Sequence, residues 1–176
     1  MLIEDDLPDV YGALEFTKRN IVQELKIFVP GVPIPKGSKI GGITHKYGKP
    51  RAFVYDQQSD KLKQWEKTIA GITKIRLPSD WETNGCFMVN TIFLMKRPAS
   101  HFNSKGEIKE QYYQAIYHYS KPDSDKLQRA VFDGLTNVAF DDDSNVVFGI
   151  FGKFYATKTN PGALVNVARL RDRGNP

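Results

Sequence analysis

Cysteine is nearly absent from this 176-residue chain. Cys86 stands alone, which excludes an intrachain disulfide and any cysteine-rich zinc centre and fits a reducing compartment. No run of residues is long and apolar enough to cross a bilayer, and the opening MLIEDDLPDV is acidic, without an apolar core segment. Membrane insertion and secretion are therefore not expected, and the cytoplasm is the expected compartment. No G-x-x-x-x-G-K-[ST] loop occurs, so a P-loop nucleotide cofactor is not expected either. The three histidines, His45, His101 and His118, lack zinc-ligand spacing. Acidic residues are missing from two stretches in particular. One runs from Lys36 to Arg51 and carries Lys36, Lys39, Lys46, Lys49 and Arg51; the other holds Lys96, Arg97, His101 and Lys105. With a net charge of +5, this distribution points to a polyanion partner.

What is present is a globular composition. Hydrophobic residues make up 40%, with 11 Phe and 8 Tyr, enough for one core in one ordinary domain. Residues 1–23 read as a polar extension, with a short helix over Gly12–Arg19, and residues 24–176 as the single folded domain. Glu24–Val29 alternates as a strand, and PGVPIPKGS then breaks regular structure. Ile40–Tyr55 predicts a hairpin around Lys46-Tyr47-Gly48-Lys49, carrying the first basic cluster. Leu62, Trp65, Ile69 and Ile72 step by three and four, predicting a helix over Gln57–Ile75. Cys86–Met95 is the apolar run of a central strand buried on both faces. Tyr112–Tyr119 (YYQAIYHY) predicts another strand, Ser124–Thr136 a helix, and Val146–Ala156 and Ala163–Leu170 two strands joined at Thr159-Asn160-Pro161-Gly162. The expected architecture is α/β in the α+β sense, a mixed sheet with two main helices packed against it.

The densest chemistry lies between Lys121 and Val147. Asp123 and Asp125 flank Ser124 where a strand is expected to give way to a helix. One carboxylate there serves as an N-cap; two also make the start of a site for a hard cation such as Mg²⁺. Asp141-Asp142-Asp143 reads alone as a solvated turn. A 13-residue helix carries the chain roughly 20 Å, and the seven residues Asn137–Asp143 span at most about 25 Å if fully extended. A nearly straight return would therefore put Asp143 in the best position to face Asp123 and Asp125, with Asp142 the alternative. Arg129, one turn after Asp125, is either an i,i+4 ion pair or a phosphate contact. An EF-hand is excluded: counted from Asp123, position 5 is Leu127, and counted from Asp141, position 6 is Val146. Pro122-Asp123 invites comparison with PD-(D/E)xK nucleases, but the residue two before Lys153 is Phe151.

The stretch PDSDKLQRAVFDGLTNVAFDDDSNV resembles the signature of the RusA-type Holliday-junction resolvases, in which P-D-x-D-N-L-x-K opens a helix, D-[AG]-L closes it and D-D-[SA]-Q-[IV] follows. PIPKGS, the basic hairpin and V-Y-D before a Trp-containing helix are similar to that family too, so the resemblance runs from about Glu24 to Leu170. It implies a RusA-like mixed α/β fold and a crossover-junction endodeoxyribonuclease. It also implies Mg²⁺, with Mn²⁺ as a substitute, held by Asp123, Asp125 and Asp143. Arg129 takes the place of the family lysine, and Lys126 that of the family asparagine, where it is a candidate DNA contact. Further implications are a homodimer acting on four-way branched DNA, and a phage or prophage origin. Lys36, Lys39, Lys46, Lys49 and Arg51 are expected to hold backbone phosphates. Competing readings are a non-catalytic DNA-binding protein on the same fold, and a nuclease for flaps, forks or single strands.

Overall fold

The computed structural model describes residues 10–37, 39–46, 48–56, 60–157 and 160–171; of residues 10, 11, 39–41, 46 and 53–56 it describes the backbone. In chain order its main elements are helix α1 (Val10–Arg19), strand β1 (Ile21–Pro30), the hairpin strands β2 (Lys39–Lys46) and β3 (Lys49–Asp56), and helix α2 (Asp60–Arg76). Then come strand β4 (Cys86–Met95), helix α3 (Ser124–Leu135) and strands β5 (Val146–Phe148), β6 (Phe151–Tyr155) and β7 (Gly162–Leu170). The expected α+β class holds. β1, β7 and β4 run side by side and antiparallel, while β5 and β6 join the other side of β4 in parallel. β2 and β3 form a two-stranded sheet of their own.

Both larger helices cover the same face of the main sheet. α2 buries Leu62, Trp65 and Ile69, and α3 buries Leu127, Ala130, Val131 and Leu135, the three-and-four spacing that a single apolar stripe requires. They meet Leu25, Ile27 and Val29 of β1, Phe87, Val89 and Phe93 of β4, and Val165 and Val167 of β7. Truncating one fully buried side chain of this set, such as Leu127 to Ala, costs about 2–5 kcal/mol. Gly134 sets the closeness of the helices: a Cβ there would lie 2.9 Å from Ile69 Cβ and 3.1 Å from the Glu66 carbonyl. On the opposite face Met88, Ala168 and Leu170 form a small cluster near α1, while Phe28 and Leu164 remain exposed.

Three expectations change. Tyr112–Tyr119 is not a strand: Glu110–Tyr112 is a single 3-10 turn, and only Tyr117 makes a bridge, to Phe154. Val146–Ala156 is interrupted at Gly149-Ile150, where a Cβ on Gly149 would meet the Val89 carbonyl at 2.4 Å. The Asn90 side chain patches the break, accepting from Ile150 N–H at 2.9 Å. Third, the chain does not run back along α3. Asn137 takes a positive φ of 61°, and the N–H groups of Val138 and Ala139 both donate to the Leu135 carbonyl. Phe140 is then buried against Phe87, with ring centroids 5.6 Å apart. The apolar residues after α3 gain more by folding into the core than by stretching over it. Tyr47, residues 57–59 and Thr159, parts of the expected turns and helix, lie outside the described residues.

Candidate active site and nucleic-acid interface

Asp123 occupies the N-cap position of α3 in an extended conformation, yet its side chain makes no cap hydrogen bond. Its Oδ2 instead lies 3.1 Å from Lys126 Nζ, across one helical turn. Asp125 sits in the first turn of α3, exposed, and makes no ion pair with any described residue. Both carboxylates therefore stand at the positive end of the helix dipole with oxygen lone pairs still available. Arg129, one turn further, is exposed, and the Asp125–Arg129 pair is not formed among the described residues. Beside Asp123 opens a cleft of about 540 Å³ walled by Pro33, Ile34, Met95, Lys121 and Pro122.

Asp143 is elsewhere. β5 begins three residues later with Val146 opposite Phe87, whereas Asp123 shares its cleft with Met95 at the other end of β4. Eight residue-to-residue steps separate Phe87 from Met95, roughly 26 Å. Among the described residues no group of three His, Cys, Asp or Glu side chains is gathered that could hold a metal ion. The expected meeting of Asp143 with Asp123 and Asp125 within one chain is thus corrected, because the return path is folded rather than straight. Asp142 is engaged locally: its Oδ1 accepts from Ser144 N–H at 2.9 Å while its own N–H donates to the Asn145 side chain at 3.1 Å. That bonding holds its carboxyl below the ordinary 3.8. Asp143, in the same 3-10 turn, is exposed.

The return to Asp123 is made by β6, and what it delivers is a cation. Lys153, opposite Phe93 in the register, donates from Nζ to the carbonyls of Ser120 and Pro122, both at 2.7 Å. Sequence reading passed over this residue because it was weighed only by the residue two places before it. A lone lysine on the helix-facing side of an apolar strand was the available signal. Arg97 was also missed as more than part of a basic cluster. Nearly buried, it reaches the Ala156 and Tyr112 carbonyls at 3.4 Å each and lies 5.0 Å over the Tyr155 ring. His101 stacks on Tyr112 at 3.9 Å and approaches Arg97, while His118 meets the edge of Tyr155. Burial lowers both imidazoles below the usual 6.5, helped by Arg97 and Lys109 at His101 and by Lys153 at His118.

The basic residues separate into two kinds. Lys36 is partly exposed on the Asp123 cleft but engaged: its ammonium pairs with Asp133 of α3, its backbone N–H donates to the Lys126 carbonyl at 2.9 Å, and its side chain is 17% exposed. It ties the proline-rich loop down beside Glu66, whose carboxyl is raised by burial. Lys49 and Arg51 of β3 are exposed, and the side chains of Lys39 and Lys46 lie outside the described residues. No helix among the described residues is long and apolar enough to cross a membrane. No curated protein matches the chain. The paired carboxylates opening α3, the acidic turn that follows it and the strands around them all fall within residues 30–168, which match the family model Endodeoxyribonuclease RusA; the chain therefore belongs to the RusA family of metal-dependent nucleases that resolve Holliday junctions.

Proposed function

We propose that this protein is a Mg²⁺-dependent endonuclease that cuts branched DNA, four-way junctions foremost, by paired phosphodiester hydrolysis, with Mn²⁺ as an alternative ion. The observation that carries the reading is Asp123: an aspartate in a capping position that does not cap, with exposed Asp125 beside it and a cleft at its side. Two carboxylates fit Mg²⁺, which is commonly held by one or two of them together with substrate phosphate oxygens. When bound, the ion supplies Lewis acidity at the scissile phosphate and lowers the pKa of a water. Lys126 balances the Asp123 charge before DNA arrives, Arg129 offers a planar fork to a phosphate, and Lys153 fixes the peptide that carries Asp123. Lys49 and Arg51 add contacts to the DNA backbone without reading sequence.

The resemblance assigns Asp143 to the same ion and implies a homodimer. Within one chain the two ends of β4 keep it away from Asp123. The two assignments are compatible if the partner subunit's Asp143 completes the site. The rival, a DNA-binding protein that keeps the fold without cutting, is favoured by one observation, the lack of a three-carboxylate group among the described residues. Labelled duplex, flap and four-way substrates, incubated with Mg²⁺, with Mn²⁺ or with EDTA, separate the readings. Symmetric metal-dependent nicks in the four-way junction are expected; binding to every substrate with no nick in either metal would leave the rival standing.

A further inference from the structure

The cleft beside Asp123 has a lining that a metal ion alone does not call for. Its apolar part comes from Val32, Pro33, Ile34 and Pro35 in the loop after β1, from Met95 at the end of β4 and from Pro122. Its charged part is three lysines, Lys36, Lys121 and Lys126, against one acid, Asp123. Lys36 and Lys126 are paired with Asp133 and Asp123, whereas Lys121 is exposed and makes no ion pair with any described residue. A hard cation wants several oxygen ligands, and this lining offers one carboxylate. The ligand that suits it has an apolar body and a negative group.

Backbone groups around the cleft are already bonded. Pro33, Pro35 and Pro122 have no N–H to give. Lys36 N–H donates to the Lys126 carbonyl at 2.9 Å, and the carbonyls of Ser120 and Pro122 accept from Lys153 at 2.7 Å. Little is left to read the hydrogen-bonding edge of a base. Prolines and a methionine instead offer apolar surface against which the face of any base can lie, and Lys121 supplies a charge for its phosphate. At about 540 Å³ the cleft falls in the size range of sites that enclose one small molecule, room for a single nucleotide rather than a duplex.

We propose that this cleft seats one unpaired nucleotide of the DNA substrate, the one joined to the phosphate engaged at Asp123, held by its base face and its charge without regard to base identity. The inference rests on the DNA-cleaving reading above and adds what selects the substrate. A nucleotide of a continuous duplex must first leave the stack to enter, whereas a branch point or flap supplies it unpaired.

The test follows the methyl NMR signals of Val32, Ile34 and Met95 in the full chain, in EDTA. The chain is titrated with each of the four deoxynucleoside 5′-monophosphates, with deoxyribose 5-phosphate and with inorganic phosphate, and the same preparation is assayed for Mg²⁺-dependent nicking of a four-way junction. All four nucleotides are expected to shift those methyls saturably, with affinities within about threefold of one another and about tenfold or more above that of deoxyribose 5-phosphate. Lys121→Gln is expected to weaken them all about three- to tenfold. Val32→Glu, which sets a carboxylate on the cleft wall, is expected to abolish the shifts; both side chains are exposed, so neither change opens the core. Equal affinity for nucleotide and sugar phosphate, a strong preference for one base, or shifts confined to other methyls would overturn the seat. So would the same methyls shifting saturably when the protein alone is concentrated, which assigns the cleft to a second copy. Nicking of the junction alongside any of these failures leaves the cleavage reading in place, whereas nucleotide binding without nicking upholds the seat and removes the cleavage reading.

Discussion

Two aspartates in this chain begin a helical turn, at opposite ends of β4, and they use their carboxylates differently. Asp142 closes a reciprocal pair of hydrogen bonds with Ser144 and Asn145. Asp123 occupies the equivalent position on a far longer helix and makes no such bond, although a cap there would satisfy an otherwise unpaired N–H. Its neighbours compensate from the outside: Lys153 holds the carbonyls before it and Lys126 balances its charge. A carboxylate kept out of the local hydrogen-bond economy is one available to a ligand, whereas Asp142 is explained by its own turn. Within the DDD run it is the Asp142 carboxylate that its own turn takes up.

The strongest way to break this comparison is to neutralise the carboxylates at the start of α3. Asp123→Asn or Asp125→Asn is expected to slow junction cleavage by roughly a hundred- to a thousandfold, while binding in EDTA stays equal or tightens because a negative charge beside phosphates is gone. Cleavage near the unaltered rate in both variants would end the assignment. Next is Asp143. If the partner subunit's Asp143 completes the site, Asp143→Asn is as inactive as Asp123→Asn, and mixing the two variant chains restores one working site per mixed dimer, read as single nicks. Full activity of Asp143→Asn removes that residue from the chemistry.

Smaller effects sharpen the contrast. Asp142→Ala should lower the melting temperature and speed amide exchange at Ser144, while Asp123→Ala should do neither at its helix start, since no cap bond is lost there. Acid should separate the two ends as well. His101 and His118 are held below 6.5, so the unfolded chain binds their protons first; their contribution to stability is present above about pH 6.5 and is lost as pH falls through and below it. Asp142 is held below 3.8, so what it contributes survives until pH falls below that value. Hydrogen exchange followed with pH should show residues 96–120 loosening before the Asp142 turn, and His118→Gln should flatten the first change.

Periodicity was a good guide where one face is buried. β4 was predicted with its observed limits, and α3 differs by one residue, because their side chains alternate or step against a single core. The sequence also placed Asp123 and Asp125 at a helix start. It misread Tyr112–Tyr119 because aromatic richness resembles a strand, although these rings face outward and one bridge is all the backbone forms. Return length alone could not place Asp143: an upper bound on reach does not say that Val138, Ala139 and Phe140 prefer burial to extension. Lys36 was read from charge alone, and its pairing with Asp133 across 97 residues is invisible until the loop is folded.

The break at Gly149-Ile150 makes parity the hidden variable of the site. Lys153 reaches the Pro122 carbonyl because it lies opposite Phe93, on the helix side of the sheet. A slip of one residue would set it opposite Ile92 or Leu94 and turn its amine to the other face. Inserting or deleting a single residue at the break would therefore leave a strand able to pair with β4 but carrying the wrong side chain toward Asp123, whereas a change of two would restore the facing at the cost of reach.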